Sequence, residues 1–231
     1  LLEERNICNM QNKTIMQYFE WYLPNNGLLW KKCKAQASDL KESGIDVVWL
    51  PPAYKGAAGN KSVGYDVYDT YDLGEFMQKG SVATKYGTKD EYLQAIEAFH
   101  NAGIEVLADV VFNHRMGADE TEQITVTETA YHDRHYVISG EKTIQAWTKF
   151  TFPGRGDKYS ALKLDSTFFT GTDWDEGNKQ KGIYLFKGKN WNKATDNENN
   201  NFDYLMGADL DVTLPATVAE LDTWGKWYLD I

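Results

Sequence analysis

The stretch Ile104-Glu-Val-Leu-Ala-Asp109-Val-Val-Phe-Asn113-His114 decides the fold. A run so rich in apolar and β-branched residues, entered from a predicted helix through Gly103, predicts a strand buried on both faces of a parallel sheet. Binding and catalytic groups collect at the carboxyl ends of parallel strands. We therefore expect Asn113 and His114, with Asp109 deeper in the strand, to lie near a functional site.

One β/α unit precedes this strand. A first strand is predicted over 14–21, and the turn residues 24–27 separate it from a helix. The helix ends at Gly44, and the apolar run 45–50 predicts a second strand, which a Pro-Pro pair ends. Apolar residues spaced along one face of this helix predict its buried side: Trp30, Cys33, Ala37 and Leu40.

A second unit leads into the opening stretch. After a polar and aromatic loop over 53–86, Thr88 and Glu91 have the spacing of a helical capping box. The apolar stripe of this second helix comprises Tyr92, Ala95, Ile96 and Phe99. The repeated β-α-β order predicts a parallel sheet. Because no Gly-rich phosphate loop follows a strand, a barrel is favoured over a doubly wound nucleotide-binding sheet.

The pattern changes after His114. Residues 115–213 are rich in Thr, Asp, Asn, Gly and aromatic residues, with short alternating segments at 143–152 and 182–186. They predict a small irregular β subdomain inserted between a strand and its helix. Helical character resumes at Pro215, with one predicted face formed by Val218, Leu221, Gly225 and Tyr228. Three strands and three helices do not close a barrel.

Composition argues against several classes of function. The 24 basic and 34 acidic residues give a net charge of −10, which disfavours nucleic acid and anionic membranes as partners. No apolar stretch approaches the roughly 18 residues that span a bilayer. The 8 Trp, 14 Tyr and 10 Phe suit surfaces that stack on sugar rings, although most of these side chains are expected in the core.

The cysteines and the N-terminus carry little functional information. Cys8 and Cys33 do not form a disulfide framework, and Cys33 lies on a helical apolar stripe, which predicts a buried free thiol. The N-terminal Leu-Leu-Glu-Glu-Arg has neither an initiator Met nor the basic and apolar regions of a signal peptide, so export is left open.

An oxygen-rich group of residues lies near the end of the predicted insertion. Hard cations such as Ca²⁺ take about six to eight carboxylate, amide and carbonyl oxygens. A solvated acidic loop is the simpler alternative, and the EF-hand pattern is absent. Asp203 and Asp209 become strong candidates only if Asn113 points at the same place. The group comprises Asp196, Asn197, Glu198, Asn199, Asn200, Asn201, Asp203, Asp209 and Asp211.

The segment from Asp109 to His114 resembles the first signature region of the α-amylase family of glycoside hydrolases. Further motifs in the same order are similar to the bacterial liquefying and cytoplasmic branch of that family, and the resemblance runs from about residue 14 to the end of the chain. These motifs lie at 16–21, 48–56, 63–69, 71–76, 84–87, 152–156, 171–176 and 202–207.

The resemblance implies an α/β fold, namely the N-terminal part of a (β/α)8 TIM barrel with an inserted, irregular, β-rich domain B after the third strand. Residues 1–114 would supply the first three barrel strands and their helices, 115–213 domain B, and 214–231 the helix after strand three. Retaining hydrolysis needs two carboxyl groups about 5 Å apart. In the family these lie on later strands, so the nucleophile and the acid/base are expected beyond Ile231, and this chain alone is expected to be inactive.

The resemblance also implies substrate-binding residues. Tyr65 is similar to the aromatic platform that stacks on the sugar at the cleavage site, and His114 to the imidazole that hydrogen-bonds that sugar. Gln17 and Trp21 are expected to line the cleft. Asp109 is expected to be a structural hydrogen-bond acceptor beneath the active site.

Asn113, Asp203 and Asp209 match the family's side-chain ligands for a Ca²⁺ ion between barrel and domain B, with Asp211 as a further candidate. Some relatives hold additional metal ions through further Asp residues. At those places this chain has Thr170, Asn192 and Thr213, so the additional ions are not expected. Similar losses occur in cytoplasmic members, which favours a cytoplasmic location over a secreted one.

Three functional hypotheses follow. The first is an α-amylase that hydrolyses α-1,4-glucosidic bonds in starch, glycogen or maltooligosaccharides, in which this chain needs the C-terminal part of the barrel as its partner. The second is a non-catalytic glucan-binding or interaction fragment. The third, a transglycosylase, is disfavoured because the loop motifs are specific to the amylase branch.

Overall fold

The computed structural model describes residues 12–193 and 203–231. Cys8 and the Asp/Asn run from Asp196 to Asn201 lie outside the described residues. The helices are α1 (Leu29–Glu42), α2 (Lys89–Asn101) and α3 (Pro215–Leu229). The strands are β1 (Ile15–Gln17), β2 (Val47–Leu50), β3 (Lys55–Gly56), β4 (Val67–Asp69), β5 (Glu105–Ala108), β6 (His114–Arg115), β7 (Glu120–Ala130), β8 (Asp133–Val137), β9 (Lys142–Lys149), β10 (Phe169–Asp175), β11 (Gln180–Phe186) and β12 (Ala208–Leu210).

The first sheet is parallel, with the strand order β1-β2-β5. In its register Met16 lies beside Val48, and Val48 beside Val106. These three side chains contact the core cluster that α1 and α2 also supply. The predicted β-α-β-α-β order is confirmed, and the sheet brings the carboxyl ends of its three strands to one edge.

Local sequence signals account for both connecting helices. The capping box of α2 is formed as predicted, because Glu91 N–H donates to the Thr88 side chain and Thr88 N–H donates to Glu91 Oε2. Gly44 and Gly103 follow α1 and α2 with φ values of 87° and 71°, which glycine adopts without steric cost. Cys33 is buried and free, as predicted.

The expectation that the third strand is buried on both faces is wrong. β5 spans only four residues, and Leu107 is 46% exposed. The strand is an edge of its sheet among the described residues, so one side of it is unpaired. Its second face, which carries Leu107 beside Trp49, is not covered by any helix of residues 12–193 and 203–231. An apolar sequence therefore shows that a strand can be buried. Whether it is buried depends on the elements that pack against it.

The first strand is also shorter than the predicted 14–21. β1 ends at Gln17, although Tyr18 N–H still donates to Trp49 O at 2.9 Å. The partner strand β2 ends at Leu50 and is followed by two prolines, which have no backbone N–H to continue the ladder. Because β2 no longer pairs with it, the chain leaves the sheet after β1 and forms a turn at Trp21.

The predicted face of α3 is partly wrong. Val218 is 51% exposed, whereas Thr217 and Trp224 are buried. Trp224 fixes the rotation of the helix because its indole Nε1–H donates to Thr70 O at 2.9 Å and its ring stacks on Tyr228. Leu221 and Tyr228 remain on the inward side, as predicted.

The loop over 53–86 contains the hairpin β3–β4 and a buried polar network. Lys55, fully buried, donates to Ser81 O and Val82 O at 2.7 and 2.5 Å. Arg155 Nε donates to Asp69 Oδ2 at 2.8 Å, and both side chains are about 1% exposed. This ion pair joins the loop to a segment 86 residues further along the chain.

A second sheet of seven strands is antiparallel, with the order β6-β12-β10-β11-β7-β8 and with β9 paired to β7. Its strands lie within residues 114–210. Its core cluster includes Val126, Phe150, Phe169, Tyr184 and Phe186. The predicted alternating segments fall in β9 and β11. In the two described ranges, no helix has the length and apolar character needed to cross a membrane.

Candidate functional site

Aromatic rings form one wall of an open depression beside the end of β1. Trp21 and Tyr65 stack with ring centroids 6.0 Å apart and an angle of 4° between the ring planes. Trp21 is 60% exposed and Tyr65 is half-buried. Flat, accessible aromatic faces of this kind pack against the apolar faces of sugar rings.

Tyr65 is held from below by Asp109. The Tyr65 hydroxyl donates to Asp109 Oδ2 at 2.8 Å across 44 residues of sequence. Burial, the hydrogen bond to Asp109 and the Asp109 charge together raise the pKa of Tyr65 above its usual value. Asp109 is positioned by its own N–H, which donates to Leu50 O at 3.2 Å. The carboxylate accepts a hydrogen bond beneath the aromatic platform, in the arrangement expected from sequence.

His114 supports the same tyrosine through its backbone. Its Nε2 lies 2.8 Å from Tyr65 O and its Nδ1 lies 3.4 Å from Asn113 Nδ2. With Nε2 protonated, the imidazole donates to Tyr65 O and accepts at Nδ1. His114 is 4% exposed, and burial lowers its pKa, so the neutral ring is favoured. The described chain therefore places His114 behind Tyr65.

Gln17 lies in the same depression, with its Nε2 donating to Phe19 O at 3.0 Å. The structure thus brings together three of the sequence-predicted substrate-binding residues: Gln17, Trp21 and Tyr65. Trp49 and Tyr86 also line the depression and were not singled out from sequence. No local sequence signal singles out Trp49; the observed parallel register places it directly beside Gln17.

A second, acidic pocket lies on the other side of the Asn113–His114 pair. It is lined by all four sequence-predicted metal ligands: Asn113, Asp203, Asp209 and Asp211. β6 positions His114 beside Asp209 of β12 in an antiparallel register. Asn113 is fixed through both its carbonyl, which accepts from Leu210 N–H, and its amide, which donates to Tyr204 O at 2.8 Å.

Asp203 and Asp209 form the buried part of this pocket, with exposed fractions of 7% and 2%. Burial, and then the charge of Asp203, raise the pKa of Asp209 to about 8. Burial likewise raises the pKa of Asp203, against a hydrogen bond from Asn192 N–H at 2.7 Å. Asp209 Oδ2 has no hydrogen-bond partner among the described residues. Two adjacent buried carboxylates with an unpaired oxygen are an arrangement that a divalent cation relieves.

Asp211 is engaged differently from the other two carboxylates. Lys189 Nζ donates to its Oδ2 at 2.7 Å, and Thr213 N–H and Oγ1–H donate to its Oδ1. Burial acts to raise the pKa of Asp211, but the bonds from Lys189 and Thr213 outweigh it and lower that pKa. Both oxygens of Asp211 therefore have protein donors.

The donor set of the pocket is mixed. Thr170, Asn192 and Thr213 also line it. Within 12–193 and 203–231, no three His, Cys, Asp or Glu side chains group closely enough to hold a metal ion by themselves. A cation here would therefore depend on the two carboxylates Asp203 and Asp209 together with amide and carbonyl oxygens.

Together these features define a β/α protein whose candidate site lies at the carboxyl ends of parallel strands. The family described as "Alpha amylase, catalytic domain" matches residues 35–206. The chain therefore belongs to the alpha-amylase catalytic-domain family.

Several curated relatives are similar over almost the whole chain. An "Alpha-amylase" of Geobacillus stearothermophilus is 57% identical over 95% of this chain and 40% of the relative. A "Glucan 1,4-alpha-maltohexaosidase" of Bacillus sp. (strain 707) is 50% identical over 95% of this chain and 43% of the relative. A "Cytoplasmic alpha-amylase" of Escherichia coli (strain K12) is 44% identical over 96% of this chain and 46% of the relative. The chain thus spans less than half the length of these relatives.

Among solved structures, an alternansucrase in complex with isomaltotriose superposes with a TM-score of 0.51. It is 21% identical, and the match covers 76% of this chain and 18% of that one. At this identity the likeness concerns the fold alone.

Proposed function

We propose that the protein containing these residues is an α-amylase that hydrolyses internal α-1,4-glucosidic bonds of starch, glycogen or maltooligosaccharides with retention. The observation that carries this proposal is the exposed Trp21–Tyr65 stack, braced by Asp109 and His114, in a chain of the alpha-amylase family. The names of the similar proteins from Geobacillus stearothermophilus and Bacillus sp. (strain 707) support the same substrate class.

In this proposal the chain supplies binding and support, and not the bond-breaking carboxylates. Asp109 already accepts the Tyr65 hydroxyl, and Asp203 and Asp209 lie in the separate acidic pocket. The retaining pair, about 5 Å apart, would come from the part of the protein outside residues 1–231. Residues 115–213 would form domain B, which is supported by the antiparallel sheet built within 114–210. A cytoplasmic location stays a prediction.

The whole protein tests the catalytic proposal. Incubation with maltoheptaose, followed at once by proton NMR of the anomeric signals, should show α-configured products from internal cleavage. Tyr65→Ala should lower kcat/KM about 10- to 100-fold, because the stacking face is lost. Tyr22→Ala, at an exposed tyrosine outside the depression, is the matched control and should keep wild-type activity. Glucan binding without hydrolysis would favour the non-catalytic alternative.

We further propose that Asn113, Asp203 and Asp209 hold Ca²⁺ in the acidic pocket. The support is the unpaired Asp209 Oδ2 and the raised pKa values of two adjacent buried carboxylates. A bound Ca²⁺ would offset the like charges of Asp203 and Asp209. It would also join β12 to Asn113, in the segment after β5, and so stabilise the loops beside the depression.

Chelation tests the calcium proposal. EDTA should lower the Tm of the whole wild-type protein by several degrees, and added Ca²⁺ should restore it. Asn113→Ala should have a lower Tm and a smaller response to EDTA, because one ligand is already gone. The exposed Asn60→Ala provides the matched control. An EDTA response of equal size in Asn113→Ala and wild type would refute the assignment.

A further inference from the structure

The backbone from Asp109 to His114 continues beyond the point where β5 stops pairing with β2. At the end of that ladder the Asp109 N–H donates to Leu50 O at 3.2 Å. Bonds in a parallel ladder are evenly spaced, so the next one would join the Val111 N–H to Pro52 O. β2 ends at Leu50, however, and the Val111 N–H donates to a side chain instead.

That side chain is Tyr54, whose hydroxyl accepts the Val111 N–H at 2.7 Å. Tyr54 is 1% exposed, and its ring lies edge-on to Trp224 with the centroids 6.5 Å apart. Trp224 also contacts Phe112, the residue after Val111, with the centroids 5.4 Å apart. The position of the Tyr54 hydroxyl is therefore set by core packing. A main-chain donor that loses its acceptor in such surroundings is costly.

The two supports of Tyr65 lie on either side of this hydrogen bond. Asp109, two residues before Val111, accepts the Tyr65 hydroxyl at 2.8 Å. His114, three residues after Val111, has its Nε2 2.8 Å from Tyr65 O. Because Val111 lies between them on one short stretch of backbone, a shift at Val111 displaces both supports of the Tyr65 ring.

We propose that Tyr54 is a positioning residue for the sugar-stacking face of Tyr65. Its hydroxyl fixes the backbone at Val111 and thereby aligns Asp109 beneath the ring and His114 behind it. Tyr54 does not line the depression, so it acts through Tyr65 and not by touching the sugar. This inference rests on the proposed glucan hydrolysis, because it concerns how the same substrate is bound. Displacements of about 1 Å in such supports can cost up to about 100-fold in rate.

A double-mutant cycle in the whole protein tests the proposal. Tyr54→Phe keeps the ring against Trp224 and removes only the hydroxyl. It should lower kcat/KM for maltoheptaose about tenfold, because Tyr65 is no longer held in place. In the Tyr65→Ala background the same change should lower kcat/KM by less than about twofold. Equal losses in the two backgrounds, or no loss in the wild-type background, would overturn the proposal.

Tyr92→Phe is the matched control. Tyr92 belongs to the same core cluster and is 2% exposed, and its hydroxyl lies 3.0 Å from that of Tyr228. The change removes a buried hydroxyl without altering the acceptor of the Val111 N–H, so kcat/KM should stay within about twofold of wild type. A loss as large as that of Tyr54→Phe would mean that general loosening of the core explains both variants, which contradicts a positioning role.

Hydrogen exchange followed by mass spectrometry reads the same bond without any turnover. In Tyr54→Phe of the whole protein, peptides that contain Val111 should exchange about tenfold faster than in wild type, and in Tyr92→Phe they should not. Unchanged exchange in Tyr54→Phe would show that its hydroxyl does not hold this segment, and would overturn the proposal. A wild-type protein that does not hydrolyse maltoheptaose would instead contradict the proposed function.

Discussion

The apolar faces of the two sheets of this chain are covered in different ways. The parallel sheet β1-β2-β5 needs crossover helices, and α1 and α2 cover one of its faces while Trp49 and Leu107 remain exposed on the other. The antiparallel sheet is connected by turns and loops within its own residues and encloses a core around Phe150, Phe169 and Tyr184. Within the described chain, the parallel sheet therefore leaves one apolar face partly exposed, whereas the antiparallel sheet covers its own core.

The largest expected effect is on the core of the antiparallel sheet. Phe169→Ala should reduce the free energy of unfolding by about 3–5 kcal/mol, because Phe169 is fully buried between Phe150 and the rest of its cluster. Urea denaturation followed by far-UV circular dichroism measures this. The exposed Tyr136→Ala, on β8 of the same sheet, should cost under about 1 kcal/mol. Equal costs would mean that this core does not stabilise the sheet.

The second prediction tests whether further parts of the whole protein cover the exposed face of the parallel sheet. In residues 1–231 alone, Leu107→Ala should change the free energy of unfolding by less than about 1 kcal/mol, because the side chain is largely solvated. In the whole protein the same change should cost about 2–4 kcal/mol if further barrel strands cover that face. Denaturation of both pairs decides the point, and identical small costs would show that the face stays exposed.

The third prediction concerns the junction between the two regions. His114→Ala should lower kcat on soluble starch in the whole protein at least tenfold, because Tyr65 loses the ring that holds its carbonyl. The Tm should fall by only a few degrees. His100→Ala, at an exposed position on α2, is the control. A large loss of Tm with activity retained in the folded fraction would make His114 purely structural.

The smallest expected effect is the pH-dependent contribution of Glu75 to the free energy of unfolding. Glu75 lies where the loop over 53–86 contacts residues 155–163. Burial acts to raise the pKa of Glu75, but bonds from Lys158, Tyr159 and Lys89 outweigh it and lower that pKa to about 2. Because the pKa of Glu75 is lower in the folded than in the unfolded chain, its ionised carboxylate stabilises the fold at pH values above the unfolded pKa, which is about 4.3. This stabilisation is lost as the pH falls towards 2.

Glu75→Gln should therefore be less stable than wild type by about 1 kcal/mol at pH 7, with the difference vanishing near pH 2. Urea denaturation across this pH range measures the difference. Glu97→Gln, a carboxylate on α2 that lies outside this network, serves as the control. A Glu75→Gln difference that is constant with pH would contradict the charge-based explanation.

Much of the first region was predictable because its signals are local. The capping box at Thr88, the glycines after α1 and α2, and the apolar stripe of α2 depend on residues within a few positions of each other. Asn113, Asp203 and Asp209 line one pocket, a proximity that family resemblance and not spacing implied, and their role as metal ligands stays a prediction.

Other features required the folded chain. The exposure of β5, the face of α3 chosen by Trp224, and the engagement of Asp211 by Lys189 all depend on which neighbours are present. Trp49 entered the depression through strand register, which no local pattern specifies.

The opening stretch shows this division most clearly. The sequence by itself determined that residues 104–108 form an apolar strand and that polar groups follow at Asn113 and His114. Only the tertiary structure decided that Leu107 is exposed on the second face of that strand, that the Asp109 carboxylate accepts the Tyr65 hydroxyl, and that the His114 ring lies behind Tyr65. Periodicity and caps are set by neighbours in sequence, whereas these contacts span 44 residues or more and depend on how separate elements pack.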